Sequence, residues 1–330
     1  MESAGEFKTT LPLANTSDSP METETLLVPA APAQFPGSFA PDLRDDHRTV
    51  SRGSGGKRIR VYFTDGWDDV QLWKSAILTS HAVMQFIEFV GSTCLCYLSA
   101  MITITIINSN TTQIAAYVGI TNIFLLWLFI SALAPVSGGH INPIITFATL
   151  LAGLTKFSRA VLYLVGQTAG AALAGGLIRG SLGAERTATF HGGGCYLDTN
   201  LMTEGQAYLV ESVLAFTLLS IHFELAKLVR FLSFGVGLDP RQAQLFGPKL
   251  GPFMVGCTLG LTSFASIGLA VGYPGAQMNP GRCFAFAVAR GEFKHQWIWW
   301  FGPVTGAVVQ ACVYRFAPPY RKEKAGARSA

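Results

Sequence analysis

From residue 80 onward the chain alternates long apolar runs with short polar breaks. Six runs, at about 80–103, 113–134, 158–179, 206–229, 251–271 and 296–317, are long enough to cross roughly 30 Å of hydrocarbon as helices. Two more, Ile145–Leu151 and Cys283–Ala289, have 7 residues each and cannot cross alone. The first follows Ser137-Gly138-Gly139-His140-Ile141-Asn142-Pro143-Ile144, the second Gly275-Ala276-Gln277-Met278-Asn279-Pro280-Gly281-Arg282. Proline suits the first turn of a helix, where its missing N–H is no loss. Asparagine just before it is a good N-cap. The pattern predicts two half-helices, each entered through a glycine-rich loop.

These features recur in register. Gln167, Gly170 and Ala171 stand in the third run, and Gly302, Gly306 and Ala307 in the sixth. Gly170 lies 28 residues after Asn142, and Gly306 lies 27 after Asn279. Glu88 and Glu211 correspond in the first and fourth runs. Three spans separate the copies, so one enters the bilayer from inside and the other from outside, an inverted-topology repeat. Non-helical backbone at membrane depth survives only where protein buries it or where it lines a watery cavity. The prediction is an all-α membrane fold with six transmembrane helices and two re-entrant half-helices. The half-helices should meet near the midplane beside a pore.

Charge orients this arrangement. An even number of spans puts both termini on one side. Lys57, Arg58, Arg60 and Lys74 precede the first span, and Arg321, Lys322, Lys324 and Arg328 follow the last. Lys156 and Arg159, then Arg230, Arg241 and Lys249, occupy two of the connections, whereas Asn108–Thr112 has no Lys or Arg. By the positive-inside rule both termini are cytosolic. Asn110-Thr111-Thr112 is then an outward-facing sequon close to the bilayer, and Asn15-Thr16-Ser17 is discounted as cytosolic.

Three regions follow. Residues 1–70, rich in Ser, Thr, Pro and Asp, read as a disordered cytosolic tail without a secretory apolar core. Its basic cluster Ser51–Arg60 is a solvated arm or a weak contact for anionic lipid. Residues 71–317 form the membrane domain, with repeat one at about 80–180 and repeat two at about 206–317; residues 318–330 are a basic cytosolic tail.

Composition agrees. Charged residues are 13% of the chain, and 11 of the 20 acidic ones lie before Val70. Soluble domains carry about 25%. Mean hydropathy is +0.37. A soluble enzyme could not cover its surface with so few charges. The basic residues are scattered over short loops, which excludes a nucleic-acid partner. Of six cysteines, Cys94, Cys96, Cys257 and Cys312 sit in apolar runs as small hydrophobes, so no disulfide framework is expected.

The paired Asn-Pro loops, in equivalent places of a repeat, resemble the major intrinsic protein (aquaporin) superfamily over about 80–317. Asn279-Pro280-Gly281-Arg282-Cys283 and Gly192-Gly193-Gly194-Cys195 look like the plant X intrinsic protein subfamily. The resemblance implies a passive channel without cofactor, metal or catalytic residue. It implies a homotetramer, or a mixed tetramer with related subunits, in the lipid bilayer, by analogy the plasma membrane. Asn142, Pro143, Ile144, Asn279, Pro280 and Gly281 form the pore centre. There two facing helix dipoles repel cations and protons, and both Asn amides donate to a passing molecule. Counting from the Asn residues puts the selectivity filter at Asn122, Ile267, Ala276 and Arg282. Water-selective members have a bulky aromatic and a His at the first two positions. Their absence implies a wider, amphipathic opening for small neutral solutes such as glycerol, urea, hydrogen peroxide and boric acid, and possible water passage. Arg282 faces the water path or clamps the loop. Ile144 and Gly281 depart from the family's alanines, one larger and one smaller, and offset one another in volume.

Other residues keep two readings. Glu88 and Glu211 either accept hydrogen bonds from loop backbone, as the resemblance implies, or serve as protonation sites of a proton-coupled transporter. His140 lines the cytosolic vestibule or packs the loop. Cys195, on the outer side, bridges subunits, holds the loop or stays an unpaired thiol. Cys283 packs in the core or makes the pore thiol-sensitive. An intramembrane enzyme is not expected, because no Gly-x-Ser-Gly or His-Glu-x-x-His sequence is present.

Overall fold

The computed structural model describes residues 80–220 and 240–316. The N-terminal tail, Ser51–Arg60, Asn15, Lys74, Arg230 and the 318–330 tail lie outside them. The described residues form α1 (Ser80–Asn108), α2 (Ile114–Ser137), α3 (Pro143–Ala152), α4 (Phe157–Thr189), a 3-10 turn at His191–Gly193, α5 (Glu204–Ser220), α6 (Pro240–Ser266), α7 (Pro280–Arg290) and α8 (Gln296–Phe316). Among them, α1, α2 and α4 are long and apolar enough to cross a membrane. The 21 residues of α8 rise about 31 Å and match the span in length. The half-helices α3 and α7 have 10 and 11 residues. Their short apolar runs are extended at the front by the capped Pro turn, and each stops at a left-handed glycine, Gly153 or Gly291.

Close helix crossings rest on glycines, which let backbones approach without a Cβ between them. A Cβ on Gly170 of α4 would lie 2.3 Å from the Phe89 carbonyl oxygen of α1. One on Gly306 of α8 would lie 2.4 Å from that of Ser212 in α5. The α2–α6 pair repeats the device on itself. Gly119 and Gly256 each stand 23 residues before their half-helix Asn. A Cβ on the first would meet the Gly260 oxygen at 3.0 Å, and one on the second the Ile123 oxygen at 2.5 Å. Each half thus crosses the other through equivalent positions, as the inverted repeat requires.

Several boundaries differ from the hydropathy reading; α1 runs on to Asn108 and α6 begins at Pro240. Helix α4 continues past residue 179 to Thr189, with a break at Gly183 (φ 76°). Helix α6 ends at Ser266 rather than 271. Beyond it Gly268, Gly272 and Gly275 all have positive φ and turn the still-apolar chain back toward α7.

Candidate functional site

The site is built where the tips of α3 and α7 come together. Each tip spends the side-chain oxygen of its Asn on capping. Asn142 Oδ1 accepts from the Ile144 N–H at 3.1 Å, and Asn279 Oδ1 accepts from the Arg282 N–H at 3.1 Å. Capping with the oxygen turns each amide nitrogen away from its own helix. Asn142 Nδ2 donates to the Met278 carbonyl at 3.0 Å, and Asn279 Nδ2 to the Ile141 carbonyl at 3.4 Å. Those carbonyls belong to the residues preceding the opposite Asn. Both are non-glycine residues in left-handed backbone, with φ 39° at Ile141 and 51° at Met278. Such conformations persist only where surroundings impose them. Here they aim a carbonyl across the junction. Each Asn has a second amide N–H, and both residues line one cavity between the helices.

Two buried carboxylates impose those conformations. Glu88 accepts from Ser137 Oγ (2.7 Å), the His140 N–H (2.9 Å), the Ile141 N–H (2.6 Å) and Gln167 Nε2 (2.8 Å). Glu211 accepts from the Gln277 N–H (2.7 Å), the Met278 N–H (3.0 Å) and Tyr273 OH (3.0 Å). Neither carboxylate has exposed surface. Without them two consecutive N–H groups in each loop would be buried unpaired, a cost of about 1–3 kcal/mol apiece.

The same cavity is lined by Asn122, Ser99, Gln277 and Arg282, with Leu95, Ile130, Leu218 and Leu259 as apolar wall. Arg282 donates from Nη1 to Ser99 Oγ (3.1 Å) and from Nη2 to Gln277 O (3.2 Å) and Oε1 (2.7 Å). Its Nε–H is buried without a protein partner. Asn122 Nδ2 donates to Ser263 Oγ on α6 at 2.9 Å.

The other two counted positions do not line this cavity. Ile267 falls just past the end of α6, against Gly275. Ala276 donates its N–H to Ser266 Oγ and joins a buried cluster with Ala215, Leu218 and Met278. Between α6 and α7 three positive-φ glycines, Gly268, Gly272 and Gly275, turn the chain. Ser99 and Gln277 take wall positions that counting missed. Ser99 carries no local signal, while Gln277 is the one long polar side chain in its loop.

His140 combines its two readings. It lines the cavity, its Nδ1 lies 3.0 Å from Thr146 Oγ1, and its ring stands edge-on to Tyr163. Ile144 is buried in a cluster with Leu219, Ala307 and Ala311. A Cβ on Gly281 would sit 3.2 Å from Pro143 Cδ, so the loops do touch at this position.

The structure chooses among the cysteine readings: Cys195 holds its loop and Cys283 packs in the core, through a bond between them that was not expected. Cys195 and Cys283 bond to each other, 88 residues apart in sequence, and both are fully buried. Neither is a thiol open to reagents, and Cys195 bridges no second subunit. The loop carrying Cys195 folds inward onto α7. A Cβ at Gly192 would meet the Phe286 oxygen at 2.8 Å, and one at Gly193 the Ala100 Cα at 2.9 Å. Arg290, near the end of α7, donates to the carbonyls of His191, Gly194 and Cys195.

Comparison with known proteins gives concordant results. The family described as major intrinsic protein matches residues 74–314. A probable aquaporin TIP3-2 of Arabidopsis thaliana is 29% identical over 208 residues, covering 63% of this chain and 69% of its own length. The aquaporin TIP1-1 of Zea mays is 29% identical over 195 residues, covering 59% and 68%. The X-ray structure of the aquaglyceroporin from Plasmodium falciparum aligns with a TM-score of 0.55 at 18% identity, over 71% of this chain and 96% of that one, a likeness of fold.

Proposed function

The chain belongs to the major intrinsic protein family, whose members are membrane channels and not enzymes, and on that premise we propose that it is a passive pore for small uncharged solutes. Its class, a channel for water or small solutes, follows from the family. Glycerol, urea, hydrogen peroxide and boric acid are the candidates, with ions and protons excluded. The observation that supports this reading is the pair of asparagine-capped tips sharing one cavity with Arg282. Two helix N-termini, each with about half a positive charge, face a passing molecule. A neutral solute can accept from the free amide N–H groups, while a cation meets the dipoles and the guanidinium. Asn122 and Arg282 supply polar groups, and Leu95 and Leu218 an apolar edge for the carbon side of a polyol.

The proton-coupled alternative needs Glu88 and Glu211 to exchange protons with water. Both accept hydrogen bonds from donors of the protein and have no exposed surface, which favours a structural role. Nearest in the family we set the X intrinsic proteins. The support is that the cysteine after Arg282 and the Gly-Gly-Gly-Cys loop, two separate motifs, are joined by one disulfide. A tetramer with cytosolic termini completes the reading. The plasma-membrane address rested on resemblance alone and forms no part of it. The test is swelling of proteoliposomes over a panel of neutral solutes. Swelling with glycerol and urea while a cation gradient holds supports the reading, and vesicles indistinguishable from empty liposomes contradict it.

A further inference from the structure

We propose that Gln277 is a selectivity-determining residue of this channel, fixing the guanidinium of Arg282 and setting the width of the opening; the proposal deepens the neutral-solute reading and rests on it. Arg282 has five N–H donors. The protein binds it through three hydrogen bonds, two of which end on Gln277, and its guanidinium also lies over the Phe286 ring at 6.0 Å. The shorter, at 2.7 Å, goes to the side-chain Oε1.

The surroundings of Gln277 hold that oxygen toward Arg282. Gln277 Nε2 donates to the Gly275 carbonyl at 2.9 Å, which sets the amide with its oxygen toward Arg282. Behind it, Cys195 Sγ lies 3.4 Å away. In the disulfide this sulfur has no hydrogen to give, so the contact is packing and leaves Oε1 to the guanidinium. Gly194 closes the same side, since a Cβ there would come within 3.4 Å of Oε1. The bridged outer loop is therefore the back wall of Gln277, and Gln277 is the seat of Arg282.

Two consequences follow. The carboxamide is a neutral acceptor, so it immobilises the guanidinium without cancelling the charge that repels cations. The side chain also lines the cavity, whereas the methyl of the neighbouring Ala276 does not. In this cavity the wall position that counting gave to Ala276 is taken by Gln277.

Charge and width are separable by substitution. Full-length protein is reconstituted in liposomes as wild type, Gln277→Ala and Gln277→Glu. Glycerol flux, the erythritol-to-glycerol ratio and potassium leak are measured on each. Gln277→Ala removes the side chain but keeps the Ser99 and main-chain contacts of Arg282. The erythritol ratio should rise about tenfold, the scale at which one methylene of space discriminates, with potassium still excluded. Gln277→Glu is nearly isosteric and neutralises the guanidinium, but it puts an oxygen where Nε2 donates to the Gly275 carbonyl. Its potassium leak should rise by about tenfold or more, because the added carboxylate cancels the positive field that turns cations away. Should Gln277→Ala fail to assemble, Gln277→Ser makes the same space. An unchanged ratio in the small variant, or an unchanged leak in Gln277→Glu, overturns the proposal. Wild-type vesicles that pass no glycerol would instead overturn the channel reading beneath it.

Discussion

One oxygen per asparagine decides the chemistry at the tips of the half-helices. Because Oδ1 of Asn142 and of Asn279 caps its own helix, the amide nitrogen must face the opposite loop and the cavity. This much was legible in the sequence, because a cap and the proline after it are local signals. Arg282 was legible for the same reason, standing three residues from its cap. Replacing Arg282 by Ala should raise potassium leak through reconstituted vesicles while leaving glycerol flux at or above the wild-type rate. Unchanged ion exclusion would remove Arg282 from the filter. The carboxylates predict a different signature. Glu88→Gln or Glu211→Gln turns an amide N–H toward donors that need an acceptor. Each should lower the stability of the detergent-solubilised protein by about 1–3 kcal/mol, read as a shifted thermal melt. Assembled channels of either variant should keep glycerol flux that ignores a pH gradient. Abolished flux in well-folded Glu88→Gln protein would restore the transporter alternative.

Among the elements, the helix crossings carry the packing argument. Gly170 and Gly176 lie on the same helix, yet a Cβ at Gly170 would strike the Phe89 carbonyl, whereas one at Gly176 meets nothing within 4 Å. Gly170→Ala should therefore force α1 and α4 apart at a cost of about 1–3 kcal/mol. Gly176→Ala should be neutral or stabilising by up to about 1 kcal/mol through helix propensity. Melting of the two variants side by side checks this, and equal melting temperatures would contradict the crossing. The repeat register singled out Gly170 and Gly306, both of which sit in a crossing, although nothing local separates positions 170 and 176. The disulfide was illegible for a stronger reason. Cys195 and Cys283 stand 88 residues apart, and only the docking of a glycine-rich loop on α7 joins them. Mass spectrometry of a non-reduced digest should find the two peptides linked. Cys195→Ser should destabilise the protein by roughly 2–5 kcal/mol, the usual range for a lost native bridge.

Across the whole molecule, the inverted repeat was readable because two motifs recur in register, and it is realised in paired features. Ile141 and Met278 share a left-handed backbone, Glu88 and Glu211 each hold a loop, and Gly119 and Gly256 cross at matching positions. Of the four counted filter positions, Asn122 and Arg282 line the common cavity, and Ile267 and Ala276 stand where three positive-φ glycines turn the chain toward α7. Ser99 and Gln277 occupy wall positions that no repeat dictates. The proposed function turns on neutral solute moving downhill through the cavity with no coupled ion. The direct measurement is glycerol entry into proteoliposomes under a fixed glycerol gradient, with the proton gradient present or collapsed by an ionophore. The account predicts the same rate in both, proportional to the glycerol gradient. Entry that stops when the proton gradient is removed would contradict it.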